Sequence, residues 1–164
     1  MLKYITLYIK QLWYYYVPYT NDLNRIIDGL YLSSLHSASD IKLLKHEGIT
    51  HIINASDVEN IAPNDFKYYR VQVEDIPTAN IAQYFADTSQ FIEDALNDGG
   101  KVLVHCMAGV SRSPTIIIAY LVSKRGLTLE QATSLLRSQR SFINPNSGFN
   151  LQLQGTKVPS STLQ

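Results

Sequence analysis

The stretch from Lys101 to Lys124, KVLVHCMAGVSRSPTIIIAYLVSK, constrains the fold most, because a strand, a tight loop and a helix follow one another without a spacer. Its first five residues, Lys101 to His105, form a short apolar run typical of a strand covered on both faces. Thr115 to Lys124 is apolar on nearly all sides, which predicts a helix buried in the centre of the protein. These features together predict an α/β protein.

The rest of the chain alternates between strand and helix patterns. Strands are predicted at 26–32 (a hairpin around Asp28-Gly29), 50–54 and 68–73, and helices at 37–47, 81–96, from Thr128 onward and after Asn146. Gly48 is expected to end the helix at 37–47, and Gln131 is expected to complete a capping box with Thr128 at the start of the helix there. The order predicts an α/β fold with a central, mostly parallel, twisted sheet flanked by helices.

Three segments are predicted along the 164 residues. Residues 1–20 form an amphipathic helical extension, because an apolar stripe recurs at helical spacing with both lysines away from it. Residues 21–154 form a single main domain, and residues 155–164 a disordered tail. The stripe consists of Ile5, Ile9, Leu12, Trp13 and Tyr16.

The N-terminal extension has three interpretations. It packs on its own domain, or it pairs with the same helix of a second protomer and forms a homodimer. In the third, residues 1–17 contact a membrane surface, for which Trp13 is suited, although two lysines give little attraction to anionic lipid.

Charge and cysteine content restrict the partners. Fourteen basic residues balance fourteen acidic ones, so we expect no nucleic acid partner. Cys106 is the only cysteine, which excludes an intrachain disulfide and leaves no cysteine cluster for zinc. We therefore expect no metal and no cofactor. A lone free thiol favours the cytoplasm, with the nucleus as an alternative.

The loop from Cys106 to Arg112 has the features of an anion site. A loop that enters a helix directs backbone N–H groups and the positive end of the helix dipole at one point. That field favours a nucleophilic thiolate at Cys106, and the Arg112 guanidinium can hold two phosphate oxygens. Displacement at phosphorus through a cysteinyl-phosphate is the chemistry that follows. The predicted phosphate-binding residues are Met107, Ala108, Gly109, Val110, Ser111 and Arg112.

These residues resemble a known family. His105-Cys106, five residues and Arg112-Ser113 are similar to the signature of cysteine-based protein tyrosine phosphatases. The following Ala119 to Val122 and the terminal INPNSGF (143–149) resemble its small dual-specificity group, over residues 24–154. The resemblance implies that His105 supports the loop and that Ser113 stabilises the thiolate as it leaves the intermediate. From sequence alone, Ser113 is equally a helix cap.

The resemblance also implies a general acid on a loop about thirty residues before the cysteine. Asp75 is 31 residues before Cys106, where a predicted strand ends, and we prefer it to the adjacent Glu74. Asp57 and Asp65 are expected to lie away from the site, in the loop after the strand at 50–54.

The predicted function is hydrolysis of phosphotyrosine and phosphoserine or phosphothreonine in proteins. The alternatives are a non-protein substrate (an RNA 5′-triphosphate, a phospholipid or a phosphoglycan) and a phosphoprotein-binding module with little activity. Lipid phosphatases of the superfamily carry lysines where this chain has Met107 and Val110. RNA triphosphatases have Thr-Gly in place of Ser113-Pro114, and the binding relatives lose the cysteine or the arginine.

Overall fold

A five-stranded sheet forms the centre of the computed structural model, which describes residues 22–157. The strands lie in the order β1-β2-β5-β3-β4, with β1 antiparallel to β2 and every other pair parallel. This confirms the predicted mostly parallel sheet. The predicted extension 1–20 and residues 158–164 of the predicted tail lie outside the described residues. The bounds are β1 (Asn24–Ile27), β2 (Leu30–Ser33), β3 (His51–Asn54), β4 (Lys67–Arg70) and β5 (Val102–His105).

Helices cover both faces of this sheet. They are α1 (Leu35–Ala38), α2 (Ile41–Glu47), α3 (Phe85–Asn97, preceded by a 3₁₀ turn at Ala82–Tyr84), α4 (Arg112–Arg125), α5 (Leu129–Gln139) and α6 (Ser147–Gln154). The apolar α4 packs against α3, α5, α6 and β5, and its first eleven residues are all buried. Within residues 22–157, no helix is long and apolar enough to cross a membrane.

The alternation of side chains along β5 divides the core in two. Val102 and Val104 pack with α4 on one face, whereas Leu103 packs on the other face with Leu44 of α2 and Ile52 of β3. All five side chains are buried, and burying one such side chain contributes about 1.5–3 kcal/mol. Two-sided burial of β5 fixes the point from which the functional loop departs.

Two predicted elements differ from the structure. The single helix predicted at 37–47 is wrong, because Asp40 caps a new helix there by accepting a hydrogen bond from the Leu43 N–H at 3.0 Å. The strand predicted at 68–73 ends at Arg70. Other local signals are confirmed: Gly48 adopts the left-handed conformation after α2, and the capping box of α5 is present.

Candidate active site

The loop between β5 and α4 is held from outside by backbone donors at both ends. The Leu35 N–H donates to the Met107 carbonyl at 3.1 Å, and the Asn144 N–H donates to the Val110 carbonyl at 2.7 Å. Since the carbonyl and the N–H of a trans peptide point in opposite directions, these contacts turn the next N–H groups toward the interior of the loop.

A buried guanidinium, that of Arg140, holds the middle of the same loop. It donates to the carbonyls of Ala108 and Gly109 at 3.0 and 2.9 Å. Its remaining donors bind the Asp22 carbonyl and carboxylate and the Asn24 side chain. Four consecutive loop carbonyls, 107 to 110, therefore accept hydrogen bonds from outside. The N–H groups of the same four peptides, at residues 108 to 111, therefore point away from these donors and form a cradle, within which the Gly109 N–H lies 3.2 Å from Cys106 Sγ.

Asp22 anchors Arg140 in turn. Its carboxylate accepts from the Ser34 N–H at 3.0 Å and from the Ser37 hydroxyl, and lies 3.1 Å from the guanidinium. Burial raises the pKa of Asp22, but the hydrogen bonds from the two serines and the charge of Arg140 outweigh it and hold the pKa below its usual value. Arg140 and Asp22 are 118 residues apart, and sequence analysis missed both.

Gly109 fits the loop because no side chain can take its place. Its φ is 65°, in the left-handed region, and a Cβ there would lie 2.7 Å from both Arg140 Nη2 and the Ser33 carbonyl oxygen. The loop thus packs against β2 and the guanidinium with no room for even a methyl group.

Cys106 lies at the carboxyl end of β5, facing the start of α4. Its Sγ accepts hydrogen bonds from the Gly109 N–H and from the Ser113 hydroxyl, each at 3.2 Å. The side chain is 2% exposed and Ser113 is fully buried. Two donors and the positive end of α4 therefore stabilise negative charge on the sulfur.

Arg112, the first residue of α4, is also buried, with 3% of its surface exposed. Its Nη1 donates to Asp57 Oδ1 at 3.1 Å and to the Val73 carbonyl at 3.3 Å. Its Nε lies 3.9 Å from Asp75 Oδ2 and, among the described residues, has no hydrogen-bond partner. A buried cationic donor without a partner is costly unless a ligand oxygen completes it.

The contact of Asp57 with Arg112 corrects the expectation that Asp57 lies away from the site. β3 and β5 are parallel neighbours, so the residues after both strands emerge at the same edge of the sheet. Asn54 Oδ1 accepts from the Ser56 N–H at 2.9 Å, and Asn54 Nδ2 donates to the Val58 carbonyl at 3.0 Å. These side-chain bonds turn the chain sharply after β3 and bring Asp57 to the guanidinium.

Asp75 reaches the loop by a different route. Its Oδ1 accepts from the Ser111 hydroxyl at 2.7 Å and from Asn146 Nδ2 at 2.9 Å. Its side chain is 26% exposed, while neighbouring Glu74 is exposed at the surface. The preference for Asp75 over Glu74 agrees with this placement. Sequence analysis placed Asn146 before a helix and within the segment 143–149 that resembles the family, but assigned it no role at the site.

His105, the last residue of β5, is buried beneath the loop. Its carbonyl accepts from the Ala55 N–H at 2.9 Å, and its Nδ1 has no hydrogen-bond partner among residues 22–157. Burial lowers the pKa of His105 to about 4; the charges of Arg70 and Arg112 add to this, and a hydrogen bond with the Cys106 backbone opposes it. The ring is therefore neutral at physiological pH.

The pKa of His105 predicts a pH-dependent stability. Between its unfolded value of about 6.5 and the folded value of about 4, the unfolded chain binds a proton that the folded chain does not. The free energy of unfolding should therefore fall by about 2 kcal/mol from about pH 7.5 to about pH 5 through this residue. Urea titrations across that range, with His105→Asn alongside, measure it. An equally steep decline in the variant would assign the pH dependence to other groups.

All the predicted site residues thus come together at the carboxyl end of β5. Within the described part of the chain, no three His, Cys, Asp or Glu side chains group as metal ligands would. The residues in the cluster are Asp75, His105, Cys106, Met107, Ala108, Gly109, Val110, Ser111, Arg112 and Ser113.

Comparison with known proteins identifies the class. The family described as the dual specificity phosphatase catalytic domain matches residues 30–157. The chain therefore belongs to the dual-specificity phosphatases, within the cysteine-based tyrosine phosphatase superfamily, as the resemblance of its loop indicates.

Named relatives agree with this assignment. The chain is 45% identical over 130 residues to dual specificity protein phosphatase 1 of Arabidopsis thaliana, covering 79% of this chain and 66% of that protein. It is 36% identical to dual specificity protein phosphatase 22-A of Danio rerio, covering 82% of this chain and 64% of that protein. The match thus spans just under two thirds of each relative's length.

A solved structure agrees as well. The crystal structure of the human tyrosine phosphatase-like serine/threonine/tyrosine-interacting protein superposes with a TM-score of 0.79 at 36% identity. The match covers 82% of this chain and 95% of that one.

Proposed function

We propose that this chain hydrolyses phosphotyrosine and phosphoserine or phosphothreonine in proteins, with Cys106 as the nucleophile. The observation that supports this best is at one end of the cradle, where Cys106 Sγ accepts two hydrogen bonds and Arg112 Nε has no hydrogen-bond partner among residues 22–157. A phosphate group supplies the oxygens that the inward N–H groups and this Nε require.

In the first step the Sγ thiolate attacks phosphorus, forming an S–P bond while the bond to the leaving oxygen breaks. Asp75 donates its proton to that oxygen, because a free alkoxide or phenoxide is a poor leaving group. In the second step the Asp75 carboxylate takes a proton from water, whose oxygen attacks phosphorus and releases Cys106. The Ser113 hydroxyl, 3.2 Å from Sγ, stabilises the departing thiolate. His105 supports the loop from below.

A direct assay tests this function against its alternatives. Purified protein is given a chromogenic aryl phosphate, then matched peptides carrying phosphotyrosine, phosphoserine or phosphothreonine, with RNA 5′-triphosphate and phosphoinositide as competitors. We expect the rate of turnover of all three peptides to exceed the rates for RNA 5′-triphosphate and for phosphoinositide as substrates. Faster turnover of RNA triphosphate or lipid would reassign the substrate.

A phosphoprotein-binding role is the second candidate, since the human protein above is named as an interacting protein. It predicts phosphopeptide binding without turnover in the same assay. Cys106, Arg112 and Asp75 are all present here, and their contacts favour catalysis.

Phosphoproteins are accordingly the proposed partners, and the cytoplasm, with the nucleus as an alternative, is the proposed location. The single free thiol supports a reducing compartment.

For residues 1–17, light scattering and liposome sedimentation, each with and without the segment, distinguish packing on the domain from dimerisation and membrane contact.

A further inference from the structure

Helix α6 fastens the loop that carries Asp75. Gln152 Nε2 donates to the Ala79 carbonyl at 2.8 Å, and its Oε1 accepts from the Ala82 N–H at 2.9 Å. Gly148 lies so close to the loop that a Cβ would come within 1.8 Å of the Pro77 carbonyl oxygen. In the far part of the loop, α6 thus contacts the loop's backbone atoms. Asp75, at the start of the loop, is instead held through its side chain.

The side chain of Asn146 has two tasks at the start of this helix. Its Oδ1 accepts from the Phe149 N–H at 3.0 Å and caps α6. Because the cap requires the amide oxygen, the amide nitrogen must face the other way, where Nδ2 donates to Asp75 Oδ1 at 2.9 Å. The cap therefore fixes the orientation of the amide toward the acid.

Ser111 completes the arrangement from the phosphate-binding loop. Its Oγ accepts from the Asn146 N–H at 3.1 Å, which leaves its own hydrogen to donate to Asp75 Oδ1 at 2.7 Å. Two donors thus converge on Oδ1 of the carboxyl group. The other oxygen, Oδ2, is the one that lies 3.9 Å from Arg112 Nε, on the side of the proposed phosphate.

We propose that Asn146 is a positioning residue for the general acid. By occupying Oδ1 together with Ser111, it assigns the transferable proton to Oδ2 of Asp75. The proton passes from Oδ2 to the leaving oxygen as the P–O bond breaks, and Oδ2 accepts one from water in the second step. This rests on the proposed function, in which Asp75 is the acid.

The test uses Asn146→Ser in the full chain. Serine caps a helix about as well as asparagine but has no amide donor to reach Asp75. Asn146→Asp keeps both the shape and the cap while replacing the donor with an acceptor, so it serves if the serine variant unfolds. Asn150→Ser is the matched control, because Asn150 Nδ2 donates to the Pro145 carbonyl in the same region rather than to Asp75.

The readout is the dependence of kcat/KM on the leaving group. Asn146→Ser should lower kcat/KM about tenfold to a hundredfold for a phosphoserine peptide, whose alkoxide needs the proton, but less than about threefold for an activated aryl phosphate. In the double variant with Asp75→Asn, Asn146→Ser should cause no further loss of kcat/KM, because the carboxyl group that Asn146 positions is already absent. Asn150→Ser should leave both substrates unchanged.

Three outcomes would overturn the proposal: an equal loss on both substrates, a loss that adds to that of Asp75→Asn, or the same pattern in Asn150→Ser. Each requires an active wild-type protein, so each leaves the phosphatase function intact. Absence of wild-type turnover would instead contradict the function itself.

Discussion

Cys106→Ser is expected to reduce turnover to below about a hundredth of the wild-type rate while leaving phosphopeptide binding largely intact. A serine hydroxyl at neutral pH is a far weaker nucleophile than a thiolate. The proposed phosphate cradle should persist, because it consists of backbone N–H groups turned inward by Arg140 and the neighbouring backbone donors, together with Arg112. Steady-state kinetics and calorimetric titration with a phosphopeptide measure the two effects separately.

Thermal unfolding of the variant serves as the control, since Cys106 is buried and a folding defect would also abolish activity. Retention of more than about a hundredth of the wild-type rate would contradict covalent catalysis by this residue. Loss of binding together with activity, in a folded variant, would contradict the backbone cradle.

Asp75→Asn is expected to lower the rate about 10²–10⁴-fold on substrates with poor leaving groups, and less on an activated aryl phosphate. The asparagine has the same shape, and its oxygen can still accept from Ser111 and Asn146, but it has no acidic proton to give. Pre-steady-state rates on a phosphoserine peptide and on an activated aryl phosphate check both expectations.

Glu74→Gln supplies the matched control, being the same chemical change one residue earlier on an exposed side chain. It should leave the rate on both kinds of substrate nearly unchanged. The reverse pattern, with Glu74→Gln impaired and Asp75→Asn silent, would move the acid to Glu74.

Local patterns predicted most of the fold. The strand before Cys106, the helix after it, the Thr128 capping box and the left-handed Gly48 depend on residues close in sequence, and all are confirmed. The single helix predicted at 37–47 is wrong because the local apolar pattern does not show the break at Asp40. The apolar period continues through Asp40, and only the capping geometry there shows that one helix ends and another begins.

Contacts between distant segments account for what sequence analysis missed. Arg140 reaches the loop carbonyls from the end of α5, and Asn146 reaches Asp75 across 71 residues. Asp57 comes to Arg112 only because two parallel strands end at one edge of the sheet. No periodicity or spacing within a segment carries this information, so Arg140 and Asp57 resemble ordinary surface polar residues in the sequence. The segment 143–149 marks Asn146 as part of a family pattern but does not indicate its partner.

The central claim, a phosphoryl group carried by Cys106, is tested most directly by trapping it. Asp75→Asn with an activated aryl phosphate is the suitable pair, because the leaving group departs without an acid while hydrolysis lacks its base. Quenching with denaturant at alkaline pH, where the S–P bond persists, within the first turnover, followed by peptide mapping, should place one phosphoryl group on Cys106, and none should be trapped in the double variant with Cys106→Ser. A phosphoryl group on another residue, or turnover with none trapped on Cys106, would contradict the mechanism.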